Sequence, residues 1–347
     1  MSAMRESDIR NPEAHARYLE LVRIDAEALA ADPSRLVRID CPACGGSDHG
    51  AEFEKFGFVY ELCHDCDTLF ANPRPSPEAL LALYGSSEST RFWVEEFFKP
   101  VAQARREKIF RPRAQHIAER FPDLAGAAVG DIGAGFGLFL EELRAVWPEA
   151  GLTAIEPSAD MAAICREKGI DVVESMLEDL DPAEHRFDLL TSFELIEHLH
   201  DPLLFLRKTR ELLNPGGHLY LTTLNGMGFD IQVHWADSRS IFPPQHLNFM
   251  NPGSLTALLE RAGFAVDEVT TPGELDWDIV QGRYVSEGLD PGRFFRTVHK
   301  HGTDEAKRAL QGWIRDAGFS SPMRVLARPA PAEPVPARPV PDRKEGA

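Results

Sequence analysis

Positive charge is what this chain has too little of. It carries 37 Lys and Arg against 55 Asp and Glu, a formal net charge of −18. Nucleic-acid binding uses Lys and Arg to displace counterions from phosphate, so this balance argues against a DNA or RNA substrate. The basic stretch Arg105, Arg106, Lys108, Arg111 and Arg113 reads as a solvated helix face. Long apolar runs are missing too, since none approaches the roughly 20 residues of a membrane span. The opening Met-Ser-Ala-Met-Arg-Glu-Ser-Asp has no apolar signal core, which makes cytoplasmic residence the expectation. There is no internal repeat, and cysteine is scarce: five residues, four of them in two close pairs.

What is present is a glycine-rich turn. Val129-Gly-Asp-Ile-Gly-Ala-Gly-Phe-Gly137 reads as a buried strand entering a turn, and the segment from Gly137 to Trp147 opens a helix. A loop whose backbone must pass close to a ligand needs residues without Cβ, and Gly133, Gly135 and Gly137 supply them at alternate positions. The dinucleotide fingerprint G-x-G-x-x-G wants glycine where Leu138 stands, which disfavours NAD and FAD. A second acid, Glu156, closes the next strand, where a carboxylate can accept both hydroxyls of a ribose.

Around this turn, strand patterns at 127–131, 152–156, 171–174, 187–192, 217–222 and 265–270 alternate with helical patterns at 158–168, 202–213 and 253–262. Such alternation predicts an α/β fold with helices on both faces of a parallel sheet. The expected organisation is an N-terminal helical segment (1–40, helix 11–31 with apolar Tyr18, Leu19, Val22 and Ile24), a cysteine module (41–75), a helical lead-in (76–125) and the large domain (126–328). Ser76 and Pro77 start a helix, and a second helical run over 91–121 is expected to break at Pro100 and Pro112. An insertion at 273–318 has helical patterns near 292–300 and 303–316, while Asp276 and Asp278 alternate as on a strand edge. The proline-rich tail 329–347 reads as disordered. Outside these patterns, Cys165 reads as a buried small hydrophobe, and His15, His116, His185 and His299 read as surface residues.

Asp131, the three glycines and Glu156 together resemble the cofactor site of class I S-adenosylmethionine-dependent methyltransferases, over roughly residues 105–328. That resemblance implies a Rossmann-like seven-stranded sheet closed by an antiparallel strand at 322–327, with the insertion capping the substrate side. It also implies S-adenosylmethionine as cofactor. Asp131 would anchor the loop near the methionine end, Gly133 and Gly135 would make room, and Glu156 would take the ribose. Met176 and Leu177 would flank adenine unless they are ordinary core, and Ser192 and Phe193 would lie beside the sulfonium.

Cys41-x-x-Cys44 and Cys63-x-x-Cys66, separated by eighteen residues, offer four thiolates to one tetrahedral ion. This pattern fits a structural Zn²⁺, with the stretch between the pairs forming a hairpin over Phe53–Tyr60. Rubredoxin-like iron is the alternative, and disulfides do not suit the expected compartment. The layout is similar to that of sugar C-methyltransferases, which also carry an N-terminal zinc module.

Beyond the fourth strand stands Glu194-Leu-Ile-Glu197-His198. A helical turn would place Glu194, Glu197 and His198 on one face, a set suited to Mg²⁺ or Mn²⁺. The segment resembles the E-x-x-E-H of ubiquinone-pathway O-methyltransferases and of small-RNA 3′-terminal ribose methyltransferases, with His246 as the fourth ligand. Without metal, His198 or His246 is the candidate base. Phe229, Trp235, Phe242 and Trp277 are candidates for the substrate wall, with Asp230, His234 and Asp237 as polar additions. The expected activity is O-methylation of a small hydroxylated metabolite, first a nucleotide sugar or sugar conjugate. The alternatives are a catechol or quinone precursor, sugar C-methylation, RNA 3′-end methylation, or a non-enzymatic zinc-ribbon scaffold.

Overall fold

The computed structural model describes residues 11–331, so the expected tail lies outside it from residue 332 onward, as do residues 1–10. No helix among the described residues is long and apolar enough to cross a membrane.

The chain enters through the Pro12–Ala30 helix, which Asn11 caps by accepting from the Glu13 and Ala14 amides. Its buried face is His15, Tyr18, Leu21, Val22, Ala26 and Leu29. Ile24, expected on that face, is 47% exposed, while His15, expected at the surface, stacks on Phe97. Tyr18 and Val22 are buried as expected, and His15 continues their face one turn earlier.

Strands β1 (Leu36–Val37), β2 (His49–Lys55), β3 (Phe58–Cys63), β4 (Leu69–Ala71) and β5 (Arg74–Pro75) follow. β2 and β3 form the expected hairpin around Phe56-Gly57, where φ is 52° and 83°. Ser76 then caps the Pro77–Ser86 helix by accepting from the Ala79 amide.

From Glu88 to Arg120 the backbone stays helical. Pro100 falls in one tight turn (Lys99–Val101), and Pro112 opens the Arg111–Arg120 helix after a widened turn over Arg106–Phe110. The expected breaks are therefore adjustments of pitch, since a wider turn frees the carbonyl that a proline ring would strike. The basic stretch is not a free face either. Arg106 and Arg111 both donate to the buried carboxylate of Glu142, the latter at 2.8 Å, and Arg113 lies 4.2 Å from the Phe193 ring.

The large sheet contains β6 (Ala128–Ile132), β7 (Gly151–Ile155), β8 (Asp171–Val173), β9 (Phe187–Phe193) and β10 (Leu213–Leu224). Short β11 (Asn248–Phe249) leaves it, and β12 (Phe264–Thr270) and β13 (Pro322–Pro329) rejoin it. Its order is β12-β13-β10-β9-β6-β7-β8, seven strands, with β13 antiparallel to both neighbours. The inner strands are buried along nearly their whole length because helices cover both faces. β11 instead extends the sheet of the cysteine module, which runs β11-β4-β3-β2.

The insertion holds three helices: Asp276–Glu287, Arg293–His301 and Asp304–Asp316. The first replaces the strand edge expected at Asp276 and Asp278. Both acids sit in its first turn, where the helix dipole favours them. Asp276 is drawn inward to accept from the Gln311 amide at 2.7 Å, from Ser320 and from the Ser321 backbone at 2.7 Å.

Burial works against the Glu142 charge, but the hydrogen bonds from Arg111 and Arg106 outweigh it and hold its carboxyl below the ordinary value. A depressed folded value adds stability above the unfolded pKa that is lost as pH falls through the folded one. Glu142→Gln is expected to cost about 1–2 kcal/mol at pH 7, discounted for half-exposed partners, and to cost little in strong acid. Urea unfolding at pH 7 and pH 3 measures both.

Candidate active site

Two groups of residues meet at the carboxyl ends of the strands. The first is the glycine turn after β6. Gly133, Gly135 and Gly137 adopt φ of 70°, 55° and 66°, a region that side chains with Cβ avoid. At Gly137 space is short too, since a Cβ would lie 2.8 Å from Ile170 Cδ1 and 3.0 Å from Cys165 Sγ. At Gly135 a Cβ would meet nothing within 4 Å, so the turn faces open space there. Cys165 is buried, as expected, but also bonds the Gly135 carbonyl at 3.3 Å.

Asp131 is buried beneath the turn and accepts from Thr191 Oγ1 at 2.7 Å. Burial pushes its carboxyl up to about 7. Glu156 reaches back from the end of β7 and accepts from the Gly135 amide at 2.8 Å and the Ser158 amide at 2.9 Å. Register places Ser192 beside Ile132, just before the turn, and its buried hydroxyl has no hydrogen-bond partner among the described residues. An open glycine cradle, paired carboxylates and an orphaned hydroxyl suit a polar ligand with ribose and amino-acid ends. Leu177 is buried in the main core cluster together with Ile155 and Leu180, whereas neighbouring Met176 is 42% exposed. Phe193 packs edge-on against Phe139 under Arg113.

The second group follows β9. Glu194 takes a left-handed φ of 51°, and only one tight turn, Ile196–His198, comes after it. The expected single face is therefore not formed. Glu194 accepts from Thr222 Oγ1 at 2.7 Å and lies 3.6 Å from Arg113, so it stays outside the group whose ligand atoms converge while remaining close enough for its charge to act on Glu197. Glu197, His198 and His246 do converge, with one ligand atom from each lying within 4.8 Å of the other two. Glu197 is 1% exposed and accepts from Thr223 Oγ1 at 2.8 Å. Burial and the nearby Glu194 charge raise its carboxyl well above the usual range.

The histidine tautomers follow from their partners. His198 Nδ1 lies 2.9 Å from the Gln245 carbonyl, and His246 Nδ1 lies 2.6 Å from the Ser240 carbonyl. A carbonyl cannot donate, so each Nδ1 carries the proton and each Nε2 keeps a lone pair. Burial lowers His198 to about 4, which leaves it neutral at physiological pH. Tyr84 Oη lies 3.1 Å from His198 Nδ1. Its sequence context, the last turn of the Pro77–Ser86 helix, gives no sign of this.

The aromatic surroundings differ from expectation. Phe242 alone of the four candidates reaches the site, with its ring 3.8 Å from that of His246. Tyr18 meets Phe242 from the N-terminal helix. Trp235 packs on Phe53 of the hairpin, and Phe229 and Trp277 pack on Phe295 within the insertion. Asp230 is tied to Ser321, and His234 is buried. His116, His185 and His299 are half-buried rather than surface residues, with His299 packed on Tyr284.

In the cysteine module, Cys41 and Cys66 sulfurs are 3.6 Å apart and those of Cys44 and Cys63 are 3.5 Å apart. A tetrahedron with Zn–S of about 2.3 Å has sulfur–sulfur edges of roughly 3.8 Å, so the four free thiols fit Zn²⁺. The Gly46 amide points at Cys44 Sγ at 3.3 Å.

The family profile described as "Methyltransferase domain" matches residues 103–269, which contain the glycine turn, Glu156, Glu197, His198 and His246. The ubiquinone biosynthesis O-methyltransferase of Xanthomonas euvesicatoria pv. vesicatoria is 33% identical over 172 residues, 46% of this chain and 70% of that protein. The ubiquinone biosynthesis O-methyltransferase of Ruegeria pomeroyi is 31% identical over 188 residues, 48% of this chain and 75% of that one. Among solved structures, the O-methyltransferase from a trans-AT polyketide synthase of Brevibacillus brevis, in complex with S-adenosyl-L-homocysteine, superposes with a TM-score of 0.47 at 14% identity, covering 68% of this chain and 77% of that one.

Two outcomes follow from this geometry. Asp131 keeps its proton when folded up to about pH 7 but loses it near pH 4 when unfolded, so its contribution to stability falls as pH rises between those values. In Asp131→Asn that part of the decline is expected to vanish, which thermal melts from pH 4 to 8 detect. Cys63→Ser is expected to lower zinc well below one ion per chain by metal analysis, with reduced thermal stability.

Proposed function

Because the chain belongs to the class I S-adenosylmethionine-dependent methyltransferases, we propose that it O-methylates a small hydroxylated metabolite, with Glu197, His198 and His246 acting on the acceptor. The observation that carries this is the pair of imidazoles fixed by backbone carbonyls as Nδ1–H tautomers beside a buried carboxylate.

When bound, S-adenosylmethionine supplies a methyl group on a sulfonium, which needs little activation. In this reading Gly133, Gly135 and Gly137 let the backbone pass close to it, Asp131 anchors the turn, and Glu156 holds the ribose. Ser192 and Phe193 lie beside the sulfonium, and exposed Met176 flanks the adenine. The harder task is to expose an oxygen lone pair on the acceptor. His198, neutral by burial, takes the hydroxyl proton at Nε2, while His246 and Glu197 hold the acceptor's neighbouring oxygen. Positioning and proton removal together supply the acceleration.

A divalent cation at the same three residues is the second reading. With Glu194 turned away, the set offers two nitrogens and one oxygen, which suits Mn²⁺ better than Mg²⁺. A cation there would lower the pKa of a chelated hydroxyl and leave the histidines as ligands.

For the acceptor, a nucleotide sugar or sugar conjugate is the first choice. The zinc-bearing layout supports it, and Phe242, packed on His246, supplies an aromatic side chain at the site. A catechol or quinone precursor is the second, supported by the similarity to O-methyltransferases of ubiquinone biosynthesis. The net charge of −18 speaks against RNA ends.

The test is methyl transfer from isotopically labelled donor to panels of glycosyl and catechol acceptors, with and without EDTA. Labelled product should carry the methyl on oxygen. Glu197→Gln, His198→Ala and His246→Ala should each lower kcat by about 10²–10⁴. Methyl on carbon, or full turnover in all three variants, would overturn the assignment. EDTA sensitivity restored by Mn²⁺ would select the second reading.

A further inference from the structure

The cysteine module does not stand apart from the acceptor site. β11, which begins two residues after His246, is an outer strand of the module's own sheet, with Asn248 and Phe249 opposite Phe70 and Leu69. From the neighbouring β3, fully buried Tyr60 donates its hydroxyl to the carbonyl of His246 at 2.6 Å. The Ala71 amide, at the end of β4, donates to the Leu247 carbonyl at 2.9 Å, and Leu247 donates in turn to the Glu197 carbonyl at 2.7 Å. The Arg74 guanidinium is fully buried and bonds the carbonyls of Ala71, His200 and Leu247. Asn251 closes the ring by donating to the Cys66 carbonyl at 2.8 Å.

We infer that the cysteine module is a positioning element for methyl transfer, and that Tyr60 is the residue through which it sets His246. This rests on the assignment of Glu197, His198 and His246 to the acceptor. His246 lies on a connection between the large sheet and a helix, a setting that by itself fixes a side chain loosely. Here its backbone is held at the carbonyl by Tyr60 and its ring at Nδ1 by Ser240. Tyr60 and the zinc-type cysteines lie outside the residues shared with the methyltransferase profile, so this support is an addition to the shared fold.

Tyr60→Phe tests it, since it keeps the ring and removes only the hydroxyl. The expected result is unchanged zinc content and S-adenosylhomocysteine affinity, with shifted ¹⁵N resonances of the His246 ring and amide exchange at Leu247 faster by about tenfold or more. Where an acceptor is in hand, kcat should fall about 10–100-fold with little change in donor KM, the size typical of lost supporting contacts behind a functional group. Arg261→Met is the control, because Arg261 bonds the module at the Ala43 carbonyl, in the Cys41–Cys44 turn and not on the β3, β4 or β11 strands that carry the bonds to His246 and Leu247. It should leave the His246 resonances in place. Unaltered His246 resonances and Leu247 exchange in Tyr60→Phe would overturn the inference. Those two readouts do not depend on the chemistry. Failure of the acceptor assignment shows separately, as full turnover by Glu197→Gln and His246→Ala.

Discussion

The backbone of Leu247 is the point on which the site depends. Its N–H is spent on the Glu197 carbonyl and its own carbonyl on Ala71, so one buried residue ties the turn after β9 to the cysteine module. Without that tie, the two halves of the candidate acceptor site would belong to separate loops. Asn248 strengthens it by bonding the Ile196 and Leu199 carbonyls, which pins the short turn that carries Glu197 and His198. Buried backbone groups in an irregular segment must find partners, and here each partner lies on the element that needs positioning.

The donor half is built on a different principle. Its parts are consecutive in the chain: a buried strand, a turn of left-handed glycines, and an acid from the next strand that reaches back to the turn amide. Local sequence specifies it almost completely. The acceptor half is assembled from segments as distant as Tyr18, Tyr84, Glu197 and His246, joined by module strands that a nearest-neighbour reading does not connect. The division suits the proposed chemistry, in which the donor is constant and the acceptor is what distinguishes one methyltransferase from another.

The same division explains what was legible in the sequence. Six of the seven strands of the large sheet were legible as strand patterns between helical ones, and the antiparallel closing strand came with the family resemblance. Glycine spacing and the two acids marked the turn, and cysteine spacing marked four thiols that do converge. What was missed depends on contacts far apart in sequence. Glu194 looked like a ligand by helical spacing, but a left-handed residue turned it toward Thr222 and Arg113. The Asp276–Glu287 helix hid because its first-turn acids alternate, and because buried Asp276 is held by serines 44 and 45 residues away. His15 and the scattered Trp and Phe residues show the same limit, since burial belongs to the fold rather than to the residue.

The measurement that tests the account most directly is calorimetric titration of S-adenosylhomocysteine into the wild type, Glu156→Ala and the Glu197→Gln/His246→Ala double variant. The account predicts binding to the wild type, similar affinity in the double variant, and loss of at least tenfold in Glu156→Ala. Equal binding by Glu156→Ala, or loss of binding in the double variant, would contradict the division into a donor turn and a separate acceptor site.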